Sequence, residues 1–140
     1  MKHSIILEKL PTAEEYNYLR CQVGWGEYQE EVIERSLPNT LYCVCAYHDK
    51  RLVGMARVIG DGGMVYYIQD VIVLPDYQRQ GIGTLMMDAI MAYIRGHASQ
   101  NTIIGLMSAV GKEAFYVHYG FTVRPTENLG AGMTMFWDVT

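Results

Sequence analysis

Charge is scarce in this chain: Asp, Glu, Lys and Arg together make up 19% of its 140 residues. That is too little for a chain held disordered by solvated charge. Long apolar runs are missing as well, and none approaches the ~18 residues of a membrane-spanning helix, so no membrane partner is expected. The opening stretch MKHSIILEKLP holds three consecutive apolar residues before Glu8. Such a stretch is too short for the core of a secretory signal, which makes the cytoplasm the expected compartment. Cysteine is limited to three residues, an odd number with no C-x-x-C pair. Cys43 and Cys45, two apart in an apparent strand, share one face and read as reduced core residues instead of ligands, so no metal is expected. The 11 Lys and Arg residues nowhere cluster, and the formal charge is −4, which leaves no electrostatic footprint for nucleic acid.

What the chain does have is apolar bulk, at 50% of residues, together with 14 glycines and 11 tyrosines. The length fits one domain over residues 1–140, with no repeat, linker or low-complexity tract. Residues 3–7 read as a strand. Thr12 and Glu15 have the spacing of a capping box at the start of a helix carrying Tyr16, Leu19 and Val23. Gly24-Trp25-Gly26 breaks that helix, and a second runs from about Tyr28 to Ser36. Leu41–Tyr47 and Arg51–Ile59 form a hairpin around His48-Asp49-Lys50. After the turn Gly60–Gly63, Met64–Leu74 is the longest strand candidate, ended by Pro75.

From Gly81 the apolar period becomes helical through Ile82, Leu85, Met86, Ala89, Ile90, Tyr93 and Ile94. Met87, Met91 and Ala92 lie beside that stripe and fit either a homodimer surface or a wide buried face. Thr102–Met107 follows as a strand, Lys112–Tyr119 as a helix, and 121–125 and 132–138 as two last strands. The expected architecture is α/β: a mixed sheet of about six or seven strands with about four helices over both faces.

The most informative segment runs from Asp70 to Thr84. A buried strand ends at Leu74-Pro75, a short loop with Gly81 and Gly83 follows, and a long helix begins. Free backbone N–H groups and the positive end of a helix dipole then converge on one spot, where glycines admit close approach of a bound group. Such a nest suits a pyrophosphate, with Arg79 or Gln80 at its edge. Alone, two glycines at such a junction fit a tight turn equally well. The loop lacks the Gly-Lys-Ser/Thr ending of a Walker loop, and Met86 stands where a dinucleotide fingerprint needs its third glycine.

Gln78-x-x-Gly81-x-Gly83 after Val71-Ile72-Val73-Leu74-Pro75 resembles the acetyl-CoA loop of the GNAT superfamily of acyl-CoA-dependent N-acyltransferases. Downstream, Phe115-Tyr116-Val117-His118-Tyr119-Gly120-Phe121 is similar to that family's F-Y-x-x-x-G-F segment. The order of strands and helices fits as well, so the resemblance spans nearly the whole chain.

The resemblance implies acetyl-CoA as co-substrate and a role for each matching residue. Main-chain groups of Val71, Ile72 and Val73 would hold the pantetheine arm and the acetyl carbonyl. Backbone amides of Arg79, Gln80, Gly81, Ile82, Gly83 and Thr84 would hold the pyrophosphate. Tyr116 would protonate the departing thiolate, the alternative being a packed aromatic with a satisfied hydroxyl. Ala109 replaces an asparagine that contacts CoA in many members, and the 102–107 strand lacks the glutamate that serves some as base. Asp70 is then the first choice of base, or else a carboxylate that fixes a neighbouring loop. Trp25 and Glu27 are candidates for the acceptor pocket, with Tyr66 or Tyr67 as added aromatic surface. The expected activity is acetyl transfer to a small-molecule amine by direct attack in a ternary complex. The alternatives are a protein N-terminal or lysine acetyltransferase and a CoA-binding module without catalysis.

Overall fold

The computed structural model describes residues 3–139; Met1, Lys2 and Thr140, which the one-domain reading includes, lie outside the described residues. The strands are β1 (Ser4–Glu8), β2 (Tyr42–His48), β3 (Arg51–Gly60), β4 (Val65–Val73) and β5 (Ile103–Leu106). The α-helices are α1 (Ala13–Gln22), α2 (Glu30–Ser36), α3 (Ile82–His97) and α4 (Glu113–His118). By compactness the chain divides after Gly105 into two units, each described below by itself. Among the described residues no helix is long and apolar enough to cross a membrane.

In the first unit the sheet order follows the chain, β1-β2-β3-β4-β5. The first four strands pair antiparallel. The α3 crossover from β4 to β5 makes the last pairing parallel and the sheet mixed. Local chemistry fixes the hairpins. Asp49 and Lys50, at φ 49° and 71°, form the two-residue turn whose twist matches the flanking strands. At the next turn the Asp61 carboxylate accepts from the backbone N–H groups of Gly63, Met64 and Val65. The capping box of α1 forms as its spacing predicts, with Thr12 and Glu15 bonded reciprocally.

Both sheet faces are covered, which explains why four consecutive residues of β2, Cys43 to Ala46, are buried. Helix α3 covers one face through Ile82, Met86, Met87, Ile90 and Ile94, so Met87 belongs to a wide core face. Tyr16 and Leu19 of α1 cover the other. Gly54 of β3 is forced by packing: a Cβ there would stand 2.5 Å from the Ile72 carbonyl oxygen and 3.3 Å from the Met86 methyl.

In the second unit, α4 buries Tyr116 against Phe115 and Phe121, with ring centroids 5.1 and 6.2 Å away. The two strands expected at 121–125 and 132–138 are not formed, so the sheet has five strands instead of six or seven. Around Pro125 the backbone closes on itself, with Thr126 N–H on the Leu129 carbonyl (2.8 Å) and Leu129 N–H on the Thr126 hydroxyl (3.0 Å). Farther on, Phe136 and Trp137 are 91% and 81% exposed. β-prone alternation becomes a strand only where a ladder partner accepts it.

Candidate functional site

Near its C-terminal end β4 breaks step with β3. Met55 pairs with Ile72 and Arg57 with Gln69, so Ala56 alone faces both Asp70 and Val71. This is a β-bulge, and it puts Asp70 at φ 59°, a left-handed conformation that Asp tolerates better than most residues. Beyond the bulge, Val71–Val73 continue to the loop. The β5 ladder begins where Ile103 N–H bonds the Met64 carbonyl, and Gly105 lies beside the Tyr67 ring. At four residues long, β5 ends before it reaches Val71, Ile72 or Val73. Their backbone on that side is therefore left unpaired by β5.

A turn of 3-10 helix at Pro75–Tyr77 leads from β4 into the loop. Side-chain amides brace it: Gln78 donates to the Val73 carbonyl at 2.9 Å and Gln80 to the Asp76 carbonyl at 3.2 Å. Arg79 and Gly81 both have positive φ, 63° and 86°. These reversals turn the chain so that α3 starts with Gly81 as its N-cap and no side-chain cap. A glycine at the entrance of a helix admits a bound group without a Cβ in the way, and the positive end of the helix dipole favours an anion there. The residues from Arg79 to Thr84 are thus contiguous around the start of α3, whereas Tyr116 lies in the second unit. There burial raises the Tyr116 hydroxyl above its ordinary pKa, so it stays protonated at neutral pH.

Asp70 is the one charged residue in the buried core among those described. The Tyr16 hydroxyl donates to its Oδ2 at 2.8 Å, and Arg57 Nε donates to the same oxygen at 2.7 Å. Arg20 stands 3.6 Å from Oδ1, and Gln69 donates to that oxygen at 3.4 Å. The Asp70 side chain is 0% exposed, and each arginine side chain 12%. Both oxygens are engaged, and two guanidinium groups face the buried carboxylate.

Tyr16, Arg20 and Arg57 were not singled out in the sequence. An arginine amid the apolar run of β3 is the signal that points to a buried counter-charge. Burial, and then the Asp70 charge, push the Tyr16 hydroxyl up to about 12. Stability should therefore decline between pH 10 and 12, where the unfolded chain releases this proton and the folded one keeps it, by on the order of 2 kcal/mol. Urea midpoints at pH 9 and 11.5 check this: Tyr16→Phe should fall less across the interval than wild type. An equal fall would contradict it.

The expected acceptor residues lie on the loop between α1 and α2. Trp25 is 41% exposed. Glu27 joins Glu14, Asn17, Tyr18 and Glu30 around an open groove of about 390 Å³. Tyr67 is half-buried, with its hydroxyl pushed up by burial and by Asp70. Tyr66 turns instead into the core against Tyr93 of α3, because neighbouring strand residues point to opposite faces. It adds no pocket surface.

Comparison with known proteins bears on the fold and the family. A model of the GNAT acetyltransferase domain matches residues 12–136. A crystal structure from meticillin-resistant Staphylococcus aureus, described as a probable acetyltransferase, superposes with a TM-score of 0.87 at 38% identity, covering 96% of this chain and 99% of that one. The uncharacterized N-acetyltransferase ycf52 of Gracilaria tenuistipitata var. liui is 30% identical over 82% of this chain and 62% of its own. The chloroplastic serotonin N-acetyltransferase 2 of rice, Oryza sativa subsp. japonica, is 31% identical over 78% of this chain and 56% of its own. The chain thus spans about six-tenths of the length of these two relatives. With a family model matched over most of its length and the fold shared end to end, the chain belongs to the GNAT acetyltransferases.

Proposed function

We propose that the protein is an acetyl-CoA-dependent N-acetyltransferase whose acceptor is a small-molecule amine. The observation that carries this reading is the continuous path from the bulged end of β4, past the end of β5, into the glycine loop and the uncapped start of α3. Acetyl-CoA supplies the activated acetyl thioester. Backbone groups of Val71, Ile72 and Val73 hold its pantetheine arm and acetyl carbonyl, and the amides of Arg79 to Thr84 hold the diphosphate. The acceptor nitrogen bonds to the acetyl carbon, the carbon–sulfur bond breaks, and Tyr116 gives its proton to the leaving thiolate.

The groove that Glu27 lines, and Trp25 does not, supports an amine acceptor, because the carboxylates of Glu14, Glu27 and Glu30 attract an ammonium group. An alkylamine with a pKa of about 10 must lose its proton before attack, and an open groove gives that proton a route to water. Asp70 is already committed to Tyr16, Arg57 and Arg20, so this reading makes it a positioning residue and not the base. A relative named for serotonin supports a small arylalkylamine as acceptor, while one of 30% identity named a histone acetyltransferase keeps a protein acceptor as the other arm of the test.

Gly83→Val tests the cradle. The added Cβ branch should raise the Kd for acetyl-CoA at least about tenfold by displacing a bound phosphate, while the helical circular dichroism signal stays. Unchanged acetyl-CoA affinity would refute the assignment of the loop. Thiol release with a panel of amines tests the reaction itself: acetyl-CoA binding without turnover on any amine would favour a non-catalytic module.

A further inference from the structure

Arg20 makes more contacts with main chain and aromatic rings than a partner of Asp70 requires. It sits in the last turn of α1. Its Nε donates to the Gly26 carbonyl at 3.0 Å, and one terminal nitrogen donates to the Trp25 carbonyl at 3.0 Å. The other terminal nitrogen faces Asp70 at 3.6 Å. The guanidinium carbon stands 4.6 Å from the Tyr28 ring centre and 5.6 Å from that of Trp25. Gly24 and Gly26, at φ 79° and 76°, allow the loop to turn both carbonyls toward this one group. Asn17 pins the far end of the loop by bonding both the N–H and the carbonyl of Tyr28.

The Trp25 ring is only partly covered, so packing of the ring does not fix where it stands. Its backbone is fixed instead, by a planar fork whose third arm reaches the bulge of β4. We propose that Arg20 is a positioning residue that locks the Trp25–Glu27 loop to the Asp70 bulge and so sets the acceptor side of the site. One cation thereby couples the groove wall to the strand carrying Val71–Val73. The Trp25 and Tyr28 ring faces that meet Arg20 are occupied by this internal cation. An acceptor's charge is accordingly met by the carboxylates of the groove.

The consequence for the acceptor rests on the transferase reading; the lock itself does not. Arg20→Lys keeps the charge opposite Asp70 but loses the fork, because one ammonium cannot reach both carbonyls and the carboxylate. In a Trp137→Phe background Trp25 is the sole tryptophan, and Arg20→Lys should raise acrylamide quenching of its fluorescence about twofold as the loop loosens. With an amine the wild type acetylates, the KM for the amine should rise about tenfold, with kcat changed less than threefold and acetyl-CoA affinity within twofold. Asn17→Ala frees the other end of the loop and should raise quenching in the same direction, should the lysine variant fail to fold; in that variant quenching alone reads the lock, because Asn17 itself lines the groove and its loss would alter the amine KM directly. Unchanged Trp25 quenching in either folded variant would overturn the lock. Raised quenching with an unchanged amine KM would overturn its role in acceptor binding. If wild type acetylates no amine, the transferase reading fails, and quenching still decides the lock.

Discussion

Asp70→Ala is expected to lower stability by about 3–5 kcal/mol, because it strands two largely buried arginines without their counter-charge. For a chain of this size that is a fall in Tm of roughly 10–15 °C. Alanine also tolerates φ 59° poorly, so the bulge loses both its network and the residue suited to its backbone. Asp70→Asn should fall between alanine and wild type, since an amide keeps one acceptor and the left-handed conformation while losing the charge. If Asp70 were the base, the order would differ: Asp70→Asn would cost about 10²–10⁴-fold in kcat with little change in melting. Thermal melts of both variants beside their turnover separate the two roles. An alanine variant melting within two degrees of wild type, or an asparagine variant that melts normally yet is inactive, would restore Asp70 to proton transfer.

The contrast between Asp70 and the glycine loop shows what the sequence can convey. The loop is local: a strand, a turn and a helix start lie within fifteen consecutive residues, and their spacing alone positions the amides. The Thr12–Glu15 capping box and the Asp49-Lys50 hairpin were legible for the same reason. The surroundings of Asp70 are not local. Tyr16 and Arg20 come from a helix fifty or more positions earlier, and Arg57 from the neighbouring strand. Which side chain of β3 meets Asp70 depends on register, and the bulge shifts that register by one residue. Composition could place a carboxylate at the end of the central strand; it could not say that two cations already hold it. At the other end of the chain the error ran the opposite way. Alternation in 132–138 marked a strand, but pairing is a property of the neighbour as much as of the segment, and the described sheet stops at β5.

Tyr116→Phe should separate chemistry from binding more cleanly than any other single change. The substitution removes one oxygen and leaves the ring that packs edge-on against Phe115 and Phe121. Burial alone holds the Tyr116 hydroxyl above its ordinary pKa, so in wild type it carries its proton throughout the neutral range. A group in that state can protonate a departing thiolate but cannot serve as base at pH 7. Loss of the hydroxyl should therefore lower kcat by about 10²-fold, equivalent to ~2.7 kcal/mol of transition-state stabilisation. The Kd for acetyl-CoA should remain within about twofold, because the cradle amides belong to another segment of the chain. The pH profile adds an independent sign. In wild type the rate should rise with pH as the amine loses its proton, then fall only beyond the ordinary tyrosine range, as Tyr116, its pKa raised by burial, ionises. The phenylalanine variant should keep the rise and lose that fall. A variant with kcat within threefold of wild type and an unchanged alkaline limb would reduce Tyr116 to the aromatic that fills the space between Phe115 and Phe121, and the thiolate would then have to take its proton from water.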